Sequence, residues 1–107
     1  MHRSALEINK IVQKAIGLLK GSIEIECAYL FGSYARGNPH KYSDIDLAFF
    51  SPTVNKMGLD KKITLLAKIG EELDPEVEIH LYSLKCLKEA RATNFYGYIL
   101  KTGKRVL

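Results

Sequence analysis

Asp44 and Asp46 lie two residues apart at the head of an apolar run, Ile45-Asp46-Leu47-Ala48-Phe49-Phe50. In an extended strand, residues two apart point to the same side. The two carboxylates therefore share a face, while Ile45 and Leu47 turn into the core behind them. Carboxylates a few ångströms apart repel each other unless a cation lies between them. Magnesium suits such a pair, because it takes oxygen ligands and leaves positions for phosphate oxygens. A solvated surface strand shows the same Asp-x-Asp pattern, so the pair alone does not decide.

A second element precedes it. Gly32-Ser33 closes the apolar stretch Ala28-Tyr29-Leu30-Phe31. Gly32 has no side chain, so a phosphate can approach the backbone closely. Ser33 adds a hydroxyl and a backbone N–H, and a helix opening there would point its positive end at an anion. An ordinary strand-to-helix turn has the same composition. Tyr34 and Tyr42, close to this loop, are candidates to stack on a base, whereas Tyr29 and Tyr96 are expected to pack.

These residues must be held by regular elements. Ser4-Ala5-Leu6-Glu7 forms a capping box. Ala5, Ile8, Ile11, Val12, Ala15, Ile16 and Leu19 follow at helical spacing, which predicts a helix over about 4 to 20, with Gly21 as its stop. Ile23 to Phe31 alternates and is apolar on both faces, as in a strand covered by helices. Ser33 to Arg36 is expected to open a short helix, broken by Gly37-Asn38-Pro39. Ser43 to Phe50 is a second strand, and a helix is expected over about 58 to 73.

Glu76 to Ser83 alternates cleanly, with Val77, Ile79 and Leu81 on one side and Glu76, Glu78, His80 and Tyr82 on the other. On this pattern His80 reads as an exposed strand histidine in preference to a base or ligand. Ser83 is expected to cap a short helix reaching about Ala90, and Asn94 a last helix over Phe95 to Lys101, ended by Gly103. Arg105 to Leu107 is expected as a short edge strand. The alternation of helices and strands predicts an α/β (α+β) fold, a small mixed sheet with helices packed on it.

The 107 residues suffice for one domain with one core, expected to span 1–107. Hydrophobic residues make up 47% and charged residues 26%, as in an ordinary globular protein. No apolar run approaches the roughly 20 residues that span a bilayer, and the first residues lack a signal-peptide core. A cytoplasmic location is expected, with no membrane partner. The net charge of +4 is spread along the chain without a long basic block, so nucleic acid is not an expected partner. Cys27 and Cys86 have no metal-ligand spacing, and Cys27 is expected as a buried free thiol.

Gly32-Ser33, the ten residues Tyr34 to Ser43, and Asp44-Ile45-Asp46 together resemble the signature of the DNA polymerase β-like nucleotidyltransferase superfamily. The resemblance covers nearly the whole chain, because helix, strand, helix, strand, helix, strand is also that family's minimal core. It implies the polymerase β-like nucleotidyltransferase fold. Gly32 and Ser33 would hold the triphosphate of ATP or another nucleoside triphosphate, and Asp44 and Asp46 would bind two magnesium ions. Arg36 would lie near the phosphates or in a structural salt bridge. Glu78, within Val77-Glu78-Ile79, takes the place of a third acid that is usually aspartate. Its implied role is to bind the catalytic metal and help deprotonate the acceptor.

The implied reaction is in-line attack by a hydroxyl on the α-phosphate, with release of pyrophosphate. A chain this short resembles the minimal nucleotidyltransferases, which in prokaryotes are often antitoxin partners of HEPN-domain ribonuclease toxins. That resemblance implies transfer of AMP to a hydroxyl of a HEPN toxin. Association with itself or with that partner is left open. The alternative is a degenerate module that binds nucleotide and partner without turnover, kept in view by glutamate at position 78.

Overall fold

The structure is a computed structural model that describes residues 4–32, 45–91 and 93–107. The chain runs α1 (Ala5–Lys20), β1 (Cys27–Phe31), β2 (Ile45–Ser51), a 3-10 turn (Val54–Lys56), α2 (Leu59–Gly70), β3 (Val77–Ser83), α3 (Lys85–Lys88), α4 (Phe95–Thr102) and β4 (Lys104–Arg105). The strands form one mixed sheet in the order β3-β2-β1-β4. β2 and β3 run parallel, joined through α2. β1 is antiparallel to both β2 and β4.

Strand alternation gives the sheet two different faces. Ala28, Leu30, Ile45, Leu47, Phe49 and Leu81 pack with α1 residues Ile8, Val12, Ala15, Ile16 and Leu19, and with Ile69 of α2. On the other face Cys27, Phe31, Ala48 and Phe50 meet Ile99 of α4, and Tyr29, Tyr82, Tyr96, Cys86 and Leu87 pack around them. Ile45, Leu47, Phe49 and Phe50 are all fully buried, so β2 is enclosed on both sides. This is the environment that a doubly apolar strand requires, and it makes β2 a rigid base for any group at its first residues.

The capping box forms as expected: Ser4 Oγ accepts from Glu7 N, and the Glu7 carboxylate accepts from Ser4 N. Asn94 caps α4 by accepting from Gly97 N at 2.9 Å, and Gly103 ends that helix.

Several boundaries differ from expectation. The first strand begins at Cys27, not Ile23, because Ser22 N and Ile23 N both donate to Leu19 O and close α1. Ile23 still reaches the core from that turn. α2 ends at Gly70, and Leu73 is buried from the turn beyond it. Ser83 does not cap the following helix. Leu84 starts it, and its N–H is held by Asn55 Oδ1 at 2.7 Å, a partner 29 residues away that local pattern cannot supply. The edge strand lies at Lys104–Arg105, and Val106 and Leu107 continue the pairing through Ala28.

Candidate functional site

The site lies on the α4 face of the sheet, at the head of β2. Parallel register sets Asp46 beside Glu78 and Ala48 beside His80. Across the other edge of β2, Asp46 faces Phe31. The period-two alternation then puts Asp46, Glu78 and His80 on one side. Glu78 Oε1 lies 3.8 Å from His80 Nε2, and Asp46 Oδ1 lies 3.5 Å from the same nitrogen. One ligand atom from each of the three residues falls within 4.8 Å of the others. Their exposures differ: the Glu78 side chain is 59% exposed, that of Asp46 22% and that of His80 25%.

Gly32 sits immediately past β1 with φ +82°, a backbone conformation that disfavours a side chain. A Cβ built there would lie 2.8 Å from Asp46 Oδ2. The turn therefore favours glycine, and any side chain there would displace the Asp46 carboxylate. This also leaves the Gly32 backbone open to a ligand at the Asp46 oxygens.

His80 is not the exposed strand residue that alternation suggested. Its ring packs on Phe31, with centroids 5.2 Å apart, and stacks at 23° on Tyr82, 6.3 Å away. Phe31 in turn meets Phe95 edge-on at 5.7 Å. The His80 Nε2 atom is buried without a hydrogen-bond partner among the described residues. The clue available in the sequence was its position two residues after Glu78 on the same face. Burial, then the Cys86 thiol, then the Asp46 and Glu78 carboxylates push the Tyr82 phenol upward from its ordinary range. A hydrogen bond with Cys86, followed by burial, raises Tyr96 to about 12. Both tyrosines are thus neutral walls to the site near neutral pH.

The residues present fit a divalent cation. An oxygen from each of two carboxylates lies within 4.8 Å of the other and of a buried nitrogen that has no hydrogen-bond partner among the described residues. Surface hollows lined by Lys56, Gly58, Leu59, Asp60 and Lys61 and by Ser22, Asp60, Thr64 and Lys68 flank α2, which packs on the other face of the sheet, and Asp60 is the one carboxylate among their lining residues. Of the residues expected at the site, the structure brings Gly32, Asp46 and Glu78 together. Ser33, Arg36 and Asp44 lie outside the described residues, as do Tyr34, Tyr42 and the expected Ser33–Arg36 helix with its Gly37-Asn38-Pro39 break.

The family model described as polymerase beta, nucleotidyltransferase, matches residues 13–107. The chain belongs to that family. Within it, the chain is 35% identical over 68 residues to the protein adenylyltransferase MntA of Shewanella oneidensis, an alignment covering 62% of this chain and 47% of MntA. The chain thus spans about half the length of that curated relative.

Among solved structures, it resembles a chain from a toxin–antitoxin complex with AMP-PNP (25% identity, TM-score 0.56, 87% of this chain and 69% of that one). It also resembles a chain from an MntA–HpeT toxin–antitoxin complex (25% identity, TM-score 0.57, 90% and 71%). A complex of a tri-AMPylated Shewanella oneidensis HEPN toxin with an MNT antitoxin shares the fold (21% identity, TM-score 0.53, 92% and 69%).

Proposed function

We propose that this chain is a divalent-metal-dependent nucleotidyltransferase that moves AMP from ATP to a hydroxyl on a HEPN-domain protein, and that it acts as the antitoxin of that protein. The observation that carries the reading is the register of β2 and β3, which sets Asp46 beside Glu78 with Gly32 pressed against Asp46. Family membership supplies the reaction class. The likeness to MntA, a protein adenylyltransferase, favours AMP as the group moved and a protein as its acceptor. The likeness to a toxin–antitoxin chain crystallised with AMP-PNP favours ATP as the donor.

In this reading Asp44, Asp46 and Glu78 would hold two magnesium ions. The ions, when bound, neutralise charge on the triphosphate and stabilise the entering and leaving oxygens. The Gly32 backbone would hold the triphosphate together with Ser33, and Arg36 would lie near its phosphates. Glu78, mostly exposed, would be open to an acceptor hydroxyl. It takes the hydroxyl proton as the acceptor oxygen bonds to the α-phosphorus and the bond to the departing pyrophosphate breaks. Fixed carboxylates on a buried strand do this work mainly by positioning and charge. The domain is expected to span the whole of 1–107 and to work in the cytoplasm. No helix among the described residues is long and apolar enough to cross a membrane.

The test is transfer of label from α-labelled ATP to the HEPN partner in the presence of magnesium. Label that disappears with Asp46→Asn supports the reading. A stable complex that never acquires label would assign the chain to partner binding without turnover.

A further inference from the structure

We propose that His80 is a direct nitrogen donor in the metal site and makes that site favour first-row transition-metal cations over magnesium. This rests on the reading that Asp46 and Glu78 hold a divalent ion, and adds a ligand of a different chemical type.

Geometry is the first argument. Donors bound at about 2.0–2.2 Å to one cation sit roughly 3 to 4 Å from one another. His80 Nε2 lies 3.5 Å from Asp46 Oδ1 and 3.8 Å from Glu78 Oε1, inside that span. Both contacts are too long to be good hydrogen bonds, so the nitrogen is near both oxygens and bonded to neither.

The second argument is the state of that nitrogen. It is buried and without a hydrogen-bond partner among the described residues. Leaving such an atom unsatisfied is unfavourable, and a cation held jointly by the three side chains would remove that cost. The third is orientation. Phe31 and Tyr82 hold the ring from two strands, and the neighbour of His80 on β2 is Ala48, whose single methyl group leaves the imidazole free to lean toward Asp46. Pre-set orientation is what a ligand needs, because little is lost on binding.

The chemistry follows from the donor. Magnesium prefers oxygen, whereas imidazole suits later divalent ions, and affinity for mixed nitrogen and oxygen sites rises from manganese toward copper. A purely carboxylate site would not make that distinction so sharply.

The experiment uses manganese(II) and magnesium themselves as probes, added to the purified full chain. Titration calorimetry on the wild type and His80→Ala should show manganese affinity falling at least about tenfold, since even loss of a ligand's supporting partner costs 10- to 100-fold. Magnesium affinity should change little. Pulsed electron paramagnetic resonance of the bound manganese should show nitrogen modulation in the wild type and none in His80→Ala. The paired variant His2→Asn, His40→Asn should keep the modulation, which assigns it to His80 even if His80→Ala folds poorly.

Manganese bound in an Asp46-dependent manner without nitrogen modulation would overturn the role of His80 and leave the transferase reading standing. Equal losses for both metals would reduce His80 to a residue that positions Asp46, and also overturn the proposal. No divalent binding by the wild type would sink both.

Discussion

Replacing Gly32 by alanine adds one methyl group and strikes the site and the fold together. The new Cβ would lie 2.8 Å from Asp46 Oδ2, so the carboxylate must withdraw about 0.6 Å to reach ordinary contact. A misplacement of about 1 Å costs on the order of 100-fold in rate. A shift of roughly half that size should lower transfer, and affinity for manganese with AMP-PNP, about tenfold. The backbone adds its own penalty. At φ +82° a Cβ crowds the neighbouring carbonyl, for about 1–2 kcal/mol. In a domain of this size each kcal/mol moves the melting temperature by about 4–8 °C, so the variant should melt several degrees lower.

Gly17→Ala is the matched control. Gly17 lies within α1 with nothing within 4 Å of its would-be Cβ. Alanine there should stabilise by about 0.8–1 kcal/mol and leave binding alone. Differential scanning fluorimetry and titration calorimetry read both effects. A Gly32→Ala protein that melts and binds like the wild type would show that Gly32 does not hold Asp46 in the position described.

Glu78→Gln should lower manganese affinity by at least about tenfold with little change in melting temperature, because the side chain is mostly exposed; calorimetry and fluorimetry on one sample check this. Gly97→Ala should destabilise by about 2 kcal/mol or more, since a Cβ there would overlap the Arg91 carbonyl and backbone has little freedom to yield; urea unfolding measures it. Burial pushes the Cys27 thiol upward, ahead of an opposing effect of Arg105. In a Cys86→Ser background the folded protein should therefore be alkylated at pH 8 at least about tenfold more slowly than the unfolded chain, as mass spectrometry would follow.

Local pattern carried much of the fold. The Ser4–Glu7 box and the stripe from Ile8 to Leu19 are contained within a few turns of one helix, and α1 appears where they place it. The strict alternation of Val77 to Ser83 made β3 and its two faces legible. Boundaries failed where a distant partner decides them, as with Asn55 holding Leu84, or where an apolar residue is buried from a turn, as with Ile23 and Leu73.

The site divides the same way. Asp46 and Gly32 were legible as types at a spacing, but their contact depends on how β1 returns beside β2. His80 was misread because its partners come from elsewhere: Phe31 from β1 and Asp46 from β2. Alternation along β3 gave its face and not its neighbours. Recognising β2, α2 and β3 as a parallel pair with a helical crossover would have put His80 and Glu78 on the strand beside Asp46, though not their register with Ala48 and Asp46.

The most direct test is a crystal of the chain grown with manganese and AMP-PNP, examined for anomalous scattering. The account predicts a manganese peak bonded to Asp46 and Glu78 oxygens, with the triphosphate against Gly32. Manganese elsewhere, with the two side chains turned away from each other, would contradict it.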